Sequence, residues 1–318
     1  MPTRYPMTRT SGLVLLALLV TAWLVGSCFD QSISHELAVK TNAFGRFFAA
    51  YGAAPAFLAA VVAGALLVQF GGWGQSPPGS DSARPTQRKA VRASLTVIGV
   101  ALTAVAFGCL IVVPAHYWEL PLWGRTVVAL ILVGATWWAT RWVAAEADPR
   151  LALRVALILI AVVIAEMLVV TLLKVGWDRP RPRLALWGEG QFAPWWAPGI
   201  ESEADLLAGG VPSDEFKSLP SAHTANAAVA MALPLLSLLR PAWARLAPLL
   251  LWIGALWTAA VALSRVVLGA HYVTDTALGA ALTLGLLLLI SHLVLRRRRL
   301  GPDPEGLEPG DPDPPILD

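Results

Sequence analysis

The sequence predicts an all-α protein built of helices that cross a membrane, on three observations. Hydrophobic residues make up 56% of the 318 and charged residues 14%, a balance too apolar for an ordinary soluble domain. The apolar residues lie in continuous blocks of about 18 or more rather than at amphipathic intervals. The charges fall between the blocks, with Lys and Arg concentrated in alternate intervals.

Taken in order, the first block is Ser11 to Cys28. Arg4 and Arg9 precede it as in a secretory signal, and Val25-Gly26-Ser27-Cys28 faintly resembles a lipoprotein cleavage site. The block is nevertheless long enough to span and further spans follow, so it reads as a retained helix. Phe47 to Phe70 and Ala93 to Val113 are uninterrupted spans, separated by a Gly-, Pro- and Ser-rich basic linker over 71–92 that reads as cytoplasmic. Thr126 to Thr140 is followed by Arg141, whose long stem can carry its charge to the interface. Val155 to Leu173 contains one acid, Glu166, and Thr224 to Leu239 continues out of a polar motif. Leu246 to Leu263 and Thr276 to Leu295 complete eight expected spanning helices. The chain divides into N-terminal transmembrane helices over 1–150, a core over 151–299 and an acidic, proline-rich tail over 300–318 whose composition predicts disorder.

With eight spans, the Lys and Arg bias places both termini in the cytoplasm. The net charge of +3 comes with no coherent basic face, which excludes a nucleic-acid partner. The run Arg296 to Arg299 fits a helix end facing anionic headgroups. Two cysteines in or beside apolar blocks argue against a disulfide framework or a thiolate metal site. No internal repeat suggests an inverted-repeat transporter.

Three polar motifs break the apolar background. They are Lys174 to Pro182 (KVGWDRPRP), Pro220-Ser221-Ala222-His223, and Ser264-Arg265 through His271 to Asp275. The first follows the fifth span, the second precedes the sixth, and the third lies between the seventh and eighth. Alternation of spans puts all three on one side of the membrane, and the charge bias makes that side extracytoplasmic. The segment 182–219, with Trp187, Trp195 and Trp196, is a loop on the same side. A loop of this length is usually functional or disordered.

These residues suit phosphoryl transfer. Lys174, Arg181 and Arg265 offer three cations, two of them planar forks matched to phosphate, and Ser221 with N–H groups at a helix start adds neutral donors. His271 and Asp275, four apart, would share a helix face, with the carboxylate bonded to one ring nitrogen to orient the imidazole. A neutral, positioned histidine is a competent nucleophile toward phosphorus, and His223 from another helix would protonate the departing oxygen and later activate water. The cations supply the charge stabilisation, so no metal or other cofactor is called for.

Lys, six residues, Arg-Pro; then Pro-Ser-x-His; then Ser-Arg, five residues, His, three residues, Asp resembles the signature of the type 2 phosphatidic acid phosphatase superfamily, over Val155 to Arg299. The resemblance implies a helical-bundle catalytic core with His271 as nucleophile, Asp275 as its partner, His223 as acid, and Lys174, Arg181, Ser221, Ala222 and Arg265 at the phosphate. Two features depart from the family pattern. Ala222 stands where the family usually has Gly, and eight helices exceed the family's six, with one more hairpin ahead of the core.

The implied substrate is an amphiphilic lipid phosphate or diphosphate, with polyprenyl diphosphate, phosphatidic acid and phosphatidylglycerol phosphate as candidates. A phosphotransferase using an alcohol in place of water, and a non-catalytic lipid-phosphate binder or transporter, are the alternatives. Arg179 and Arg183, beside the phosphate-binding residues, read either as guides for an anionic headgroup or as solvated loop charges. Glu166, about 12 Å along the helix from Lys174, reads as a structural carboxyl, protonated or paired beneath the site.

Overall fold

The computed structural model describes residues 4–71, 85–197 and 199–296. Most of the expected 71–92 linker, the tail over 300–318 and Arg297 to Arg299 lie outside the described residues. Helices are the only regular structure among the described residues: α1 Arg9–Leu37, α2 Ala43–Tyr51, α3 Ala54–Phe70, α4 Pro85–Ala115, α5 Leu122–Val143, α6 Pro149–Trp177, α7 Pro182–Trp187, α8 Glu203–Ala208, α9 Ala222–Ala228, α10 Leu236–Leu239, α11 Ala247–Val267 and α12 Val273–Leu295. Short 3₁₀ turns fill Ser213–Phe216, Val229–Leu235 and Pro241–Leu246.

Eight helices or helix pairs among the described residues are long and apolar enough to cross a membrane, matching the eight blocks of the sequence. The protein is a multi-pass membrane protein, and its surface agrees with that. Leu16, Leu24, Val105, Ile131, Ile164, Leu172 and Leu256 are exposed, a disposition that only lipid makes favourable. One hydrophobic core is shared by Leu15 of α1, Leu66 of α3, Val155 and Val162 of α6, Leu251 of α11 and Leu287 of α12, so the N-terminal helices pack directly on the second half of the chain.

Two local features shape the site end of this bundle. The sixth span is not a regular helix: around Pro234 it runs as 3₁₀ from Val229 to Leu235, because proline has no N–H to donate and its ring crowds the carbonyl four residues back. The fifth span, α6, stops at Asp178, which adopts a left-handed conformation with φ 40°. Asp tolerates that conformation better than most residues, and the prolines at 180 and 182 prevent the helix from resuming in register. The chain then enters the 182–219 segment. Here α7, α8 and the Ser213–Phe216 turn close over a small core of Leu184, Leu206 and Phe216, a packed cap rather than a loose loop.

Candidate active site

The three motifs converge at one end of the bundle. Lys174 lies in the last turn of α6 and Arg181 is the N-cap of α7. Ser221 is the N-cap of α9, followed by Ala222 and His223. Arg265 lies in the last turn of α11, His271 in the turn before α12, and Asp275 in the first turn of α12. The N-terminus of α9 is pinned to α12 because residue 279 is glycine: a Cβ there would lie 2.6 Å from the Ser221 carbonyl oxygen. The charges of Lys174 and Arg181 act on His271, and those of Arg265, His271 and Arg181 act on His223.

His271 is 3% exposed. Its Nδ1 lies 2.7 Å from the Ser218 carbonyl oxygen. A carbonyl only accepts, so Nδ1 carries the proton and donates it, which leaves the lone pair on Nε2. Burial, reinforced by the Lys174 and Arg181 cations, holds the imidazole down to about 3 from its ordinary 6.5 despite the opposing pull of Asp275. At neutral pH the ring is uncharged with Nε2 free, the state a nucleophile needs.

The Asp275 carboxylate is placed differently from expectation. Its Oδ2 is 3.7 Å from His271 Nδ1, beyond a hydrogen bond. That oxygen instead accepts from the Ser218 hydroxyl at 2.5 Å and the Tyr272 N–H at 2.8 Å. The expected shared helix face is corrected with it: His271 precedes α12, and Asp275 occupies the helix's third position, where an acid receives the free N–H groups of a helix start. Ser218 is thus the relay, its hydroxyl on Asp275 and its carbonyl on His271.

Arg179 is also corrected, from a solvated loop charge to a buried strut with no exposed surface. Its guanidinium donates to Asp275 Oδ1 at 2.5 Å, to Thr274 Oγ1 at 2.8 Å, to Asp30 Oδ2 at 3.1 Å and, through Nε, to the Ala193 carbonyl at 2.9 Å, and it stacks 4.0 Å from the Tyr272 ring centroid. Arg183 is paired with both carboxylate oxygens of Glu215. Asp30 and Ser218 belong to no motif in the sequence, while Arg179 lies inside the first, two residues before Arg181. A signal for Asp30 existed, an acid within a membrane helix, but the first apolar block ends at Cys28 and the helix runs on past it to Leu37.

The cations of the three motifs are of two kinds. Lys174 Nζ donates to the Lys217 carbonyl at 2.5 Å. Arg181 donates to the Asp214 carbonyl at 2.9 Å and the Asp214 carboxylate at 2.5 Å, so the 213–217 turn of the cap engages both. Arg265 is 3% exposed, and its Nε and Nη1 have no hydrogen-bond partner among the described residues; the same holds for His223 Nε2. Tyr117 lies between them, its ring 5.5 Å from His223 and 5.7 Å from the Arg265 guanidinium. Buried donors of this kind are costly unless a ligand satisfies them. Ser221 caps α9 by accepting from Thr224, and its own N–H is taken by the Asp275 carbonyl at 3.0 Å.

Glu166, lower in α6, is 1% exposed with neither carboxyl oxygen partnered among the described residues. No group of three or more His, Cys, Asp or Glu residues able to hold a metal converges among the described residues. Beside the site lies an apolar cavity of about 850 Å³ bounded by α2, α3, α5, α11 and the broken sixth span. At one end it is lined by Phe47, Tyr51 and Trp118, next to the Tyr117 that packs on His223, and at the other by Val143 and Trp243.

Residues 155–299, from within α6 to beyond the end of α12, match the PAP2 superfamily. No curated protein and no solved structure matches the chain.

Proposed function

We propose that this chain, whose residues 155–299 form a PAP2 superfamily domain, is an integral membrane enzyme that hydrolyses a lipid phosphate or diphosphate through a phosphohistidine at His271. The coarse level of that reading, phosphatase-type action on phosphate esters, follows from the domain. The observation that carries the finer reading is the Ser218 carbonyl on His271 Nδ1, which fixes the tautomer and leaves Nε2 as nucleophile among Lys174, Arg181 and Arg265.

In the first step Nε2 attacks phosphorus, a P–N bond forms, and the P–O bond to the lipid breaks. His223, protonated beside the bound phosphate's negative charge, gives its proton to the departing oxygen. Neutral His223 then takes a proton from water, whose oxygen attacks the phosphohistidine, and inorganic phosphate leaves with His271 regenerated. The three cations and the N–H groups at the start of α9 hold the charge that builds on the phosphoryl oxygens.

An amphiphile is favoured because the 850 Å³ apolar cavity begins beside the residues flanking His223 and extends, along α5 from Val128 to Val143, about 22 Å. A second apolar cavity of about 790 Å³ between α1 and α12 is lined by none of the residues flanking His223. The Lys and Arg bias supports an extracytoplasmic site with both termini cytoplasmic.

The test is phosphate release by purified protein in detergent from lipid phosphates and diphosphates of graded tail length, with short water-soluble phosphate esters as controls. Wild type turns over long-tailed substrates in the presence of chelator, and His271→Ala loses at least about a thousandfold in kcat while keeping its melting temperature. Undiminished turnover by His271→Ala sinks the mechanism, and equal turnover of tailed and tailless esters sinks the lipid assignment.

A further inference from the structure

Asp30 lies on α1, more than a hundred residues before the matched segment, yet it is 4% exposed and sits at the N-terminus of α12. Its Oδ1 accepts the Thr274 N–H at 3.2 Å, and its Oδ2 accepts the Thr274 hydroxyl and Arg179 Nη2, the latter at 3.1 Å. The other edge of the same guanidinium holds Asp275 Oδ1. Residue 26 is glycine where α1 meets α12: a Cβ there would lie 2.8 Å from the Thr274 methyl and 2.9 Å from both Asp30 Oδ1 and the Thr274 nitrogen. The chain therefore admits α1 close enough for a carboxylate to reach through to Arg179.

The charge count gives this contact a consequence. Arg179 alone would neutralise Asp275. With Asp30 on the opposite edge, one cation is shared by two carboxylates, and the trio keeps a net negative charge. That charge lies against Ser218 and the His271 ring, which becomes positive as its Nε2 bonds to phosphorus. The other charged groups around His271 are Lys174 from the end of α6, Arg181 from the start of α7, Arg265 from the end of α11 and His223 from α9, all cationic or potentially so. Against those neighbours, the excess negative charge favours the forming imidazolium.

We infer that Asp30 is a positioning residue for the nucleophile: it holds Arg179 and the start of α12 in place, and its charge keeps Asp275 from being neutralised, so that Asp275 acts on His271. The inference rests on the reading of His271 as nucleophile, and it assigns a part in the site to a helix outside the matched domain.

The experiment follows the His271 ring by ¹⁵N-histidine NMR of the full chain in detergent micelles. Its resonances are picked out by their loss in His271→Gln, and phosphatidic acid turnover is measured in parallel. Asp30→Asn moves the His271 titration midpoint to lower pH. It also lowers kcat about ten- to a hundredfold with KM within about threefold, and it shifts the acid limb of the kcat/KM profile the same way. Asp30→Glu, which keeps the charge, leaves the midpoint near that of wild type. Gly26→Ala crowds Asp30 without touching any charge; it shifts the midpoint in the direction of Asp30→Asn but less, and it serves alone if Asp30→Asn does not fold. An unmoved midpoint in the folded variants overturns the inference even if turnover falls, because a purely structural role scales activity equally at every pH. A shifted midpoint in a protein whose wild type releases no phosphate from any substrate supports the coupling of Asp30 to the His271 ring and sinks the phosphatase reading, and with it the nucleophile that Asp30 would serve.

Discussion

The two halves of the site differ in how their buried polar groups are satisfied. On one side Asp275, Arg179, Asp30, Thr274 and Ser218 bond to one another. On the other, Arg265 Nε and Nη1 and His223 Nε2 have no partner among the described residues although they are equally enclosed. The first is a finished scaffold, rigid before substrate arrives. Under the proposed function the second is a set of donors held ready for an anion, and its cost in the free protein is one that substrate would remove. On the proposed reading, the bonds that hold His271 are complete, Arg265 and His223 stay open for the phosphate, and Lys174 and Arg181 are already engaged by the cap.

The sharpest way to break this contrast is to remove one guanidinium from each half. Arg179→Met strands two buried carboxylates, and the expected result is a loss of about 3–5 kcal/mol in stability together with turnover. Arg265→Gln strands nothing. Its kcat falls about a hundred- to a thousandfold, while its melting temperature in detergent rises, because an unpaired buried cation has been removed. Inorganic phosphate should raise the melting temperature of wild type and not of Arg265→Gln, as mass action requires when the ligand binds only the folded site. If both substitutions destabilise alike, the distinction between scaffold and ready donors is wrong.

Acid should act on the scaffold half. His271 is held at about 3 against an ordinary 6.5 by burial, so between those values the unfolded chain binds a proton that the folded one refuses. Its contribution to stability is fully present above about pH 6.5 and is lost as pH falls toward about 3. Melting temperatures from pH 7 to 4 should therefore fall more steeply for wild type than for His271→Gln. The smallest effect is expected at the cap. Asp214 is 68% exposed where it pairs with Arg181, and exposed pairs are worth little. Asp214→Asn should change KM for a lipid phosphate by no more than about threefold, and a larger change would make the cap part of the cradle.

Much of this was legible in the sequence, and the misses have identifiable causes. The eight spans were readable because lipid imposes length and composition on each one separately. Arg179 looks exposed from its Arg- and Pro-rich neighbours in the sequence, whereas its environment comes from α1 and α12. Asp30 is hidden from a hydropathy pattern because the first apolar block stops just short of it, while the helix continues and a distant guanidinium pairs with it. Spacing alone does not give the His271–Asp275 geometry. An acid at the third position of a helix marks a start at Val273, and that start leaves His271 in the preceding turn.

By itself, then, the sequence determined the helical class, the number of crossings and the gathering of Lys174, Arg181, Ser221, His223, Arg265, His271 and Asp275 on one side, since spans of fixed length must alternate. Only the tertiary structure decided which of those groups bond to each other and which stay open. That depends on the rotation and depth of each helix, and these are set by close approaches such as Gly26 against Thr274 and Gly279 against Ser221, which no local pattern encodes.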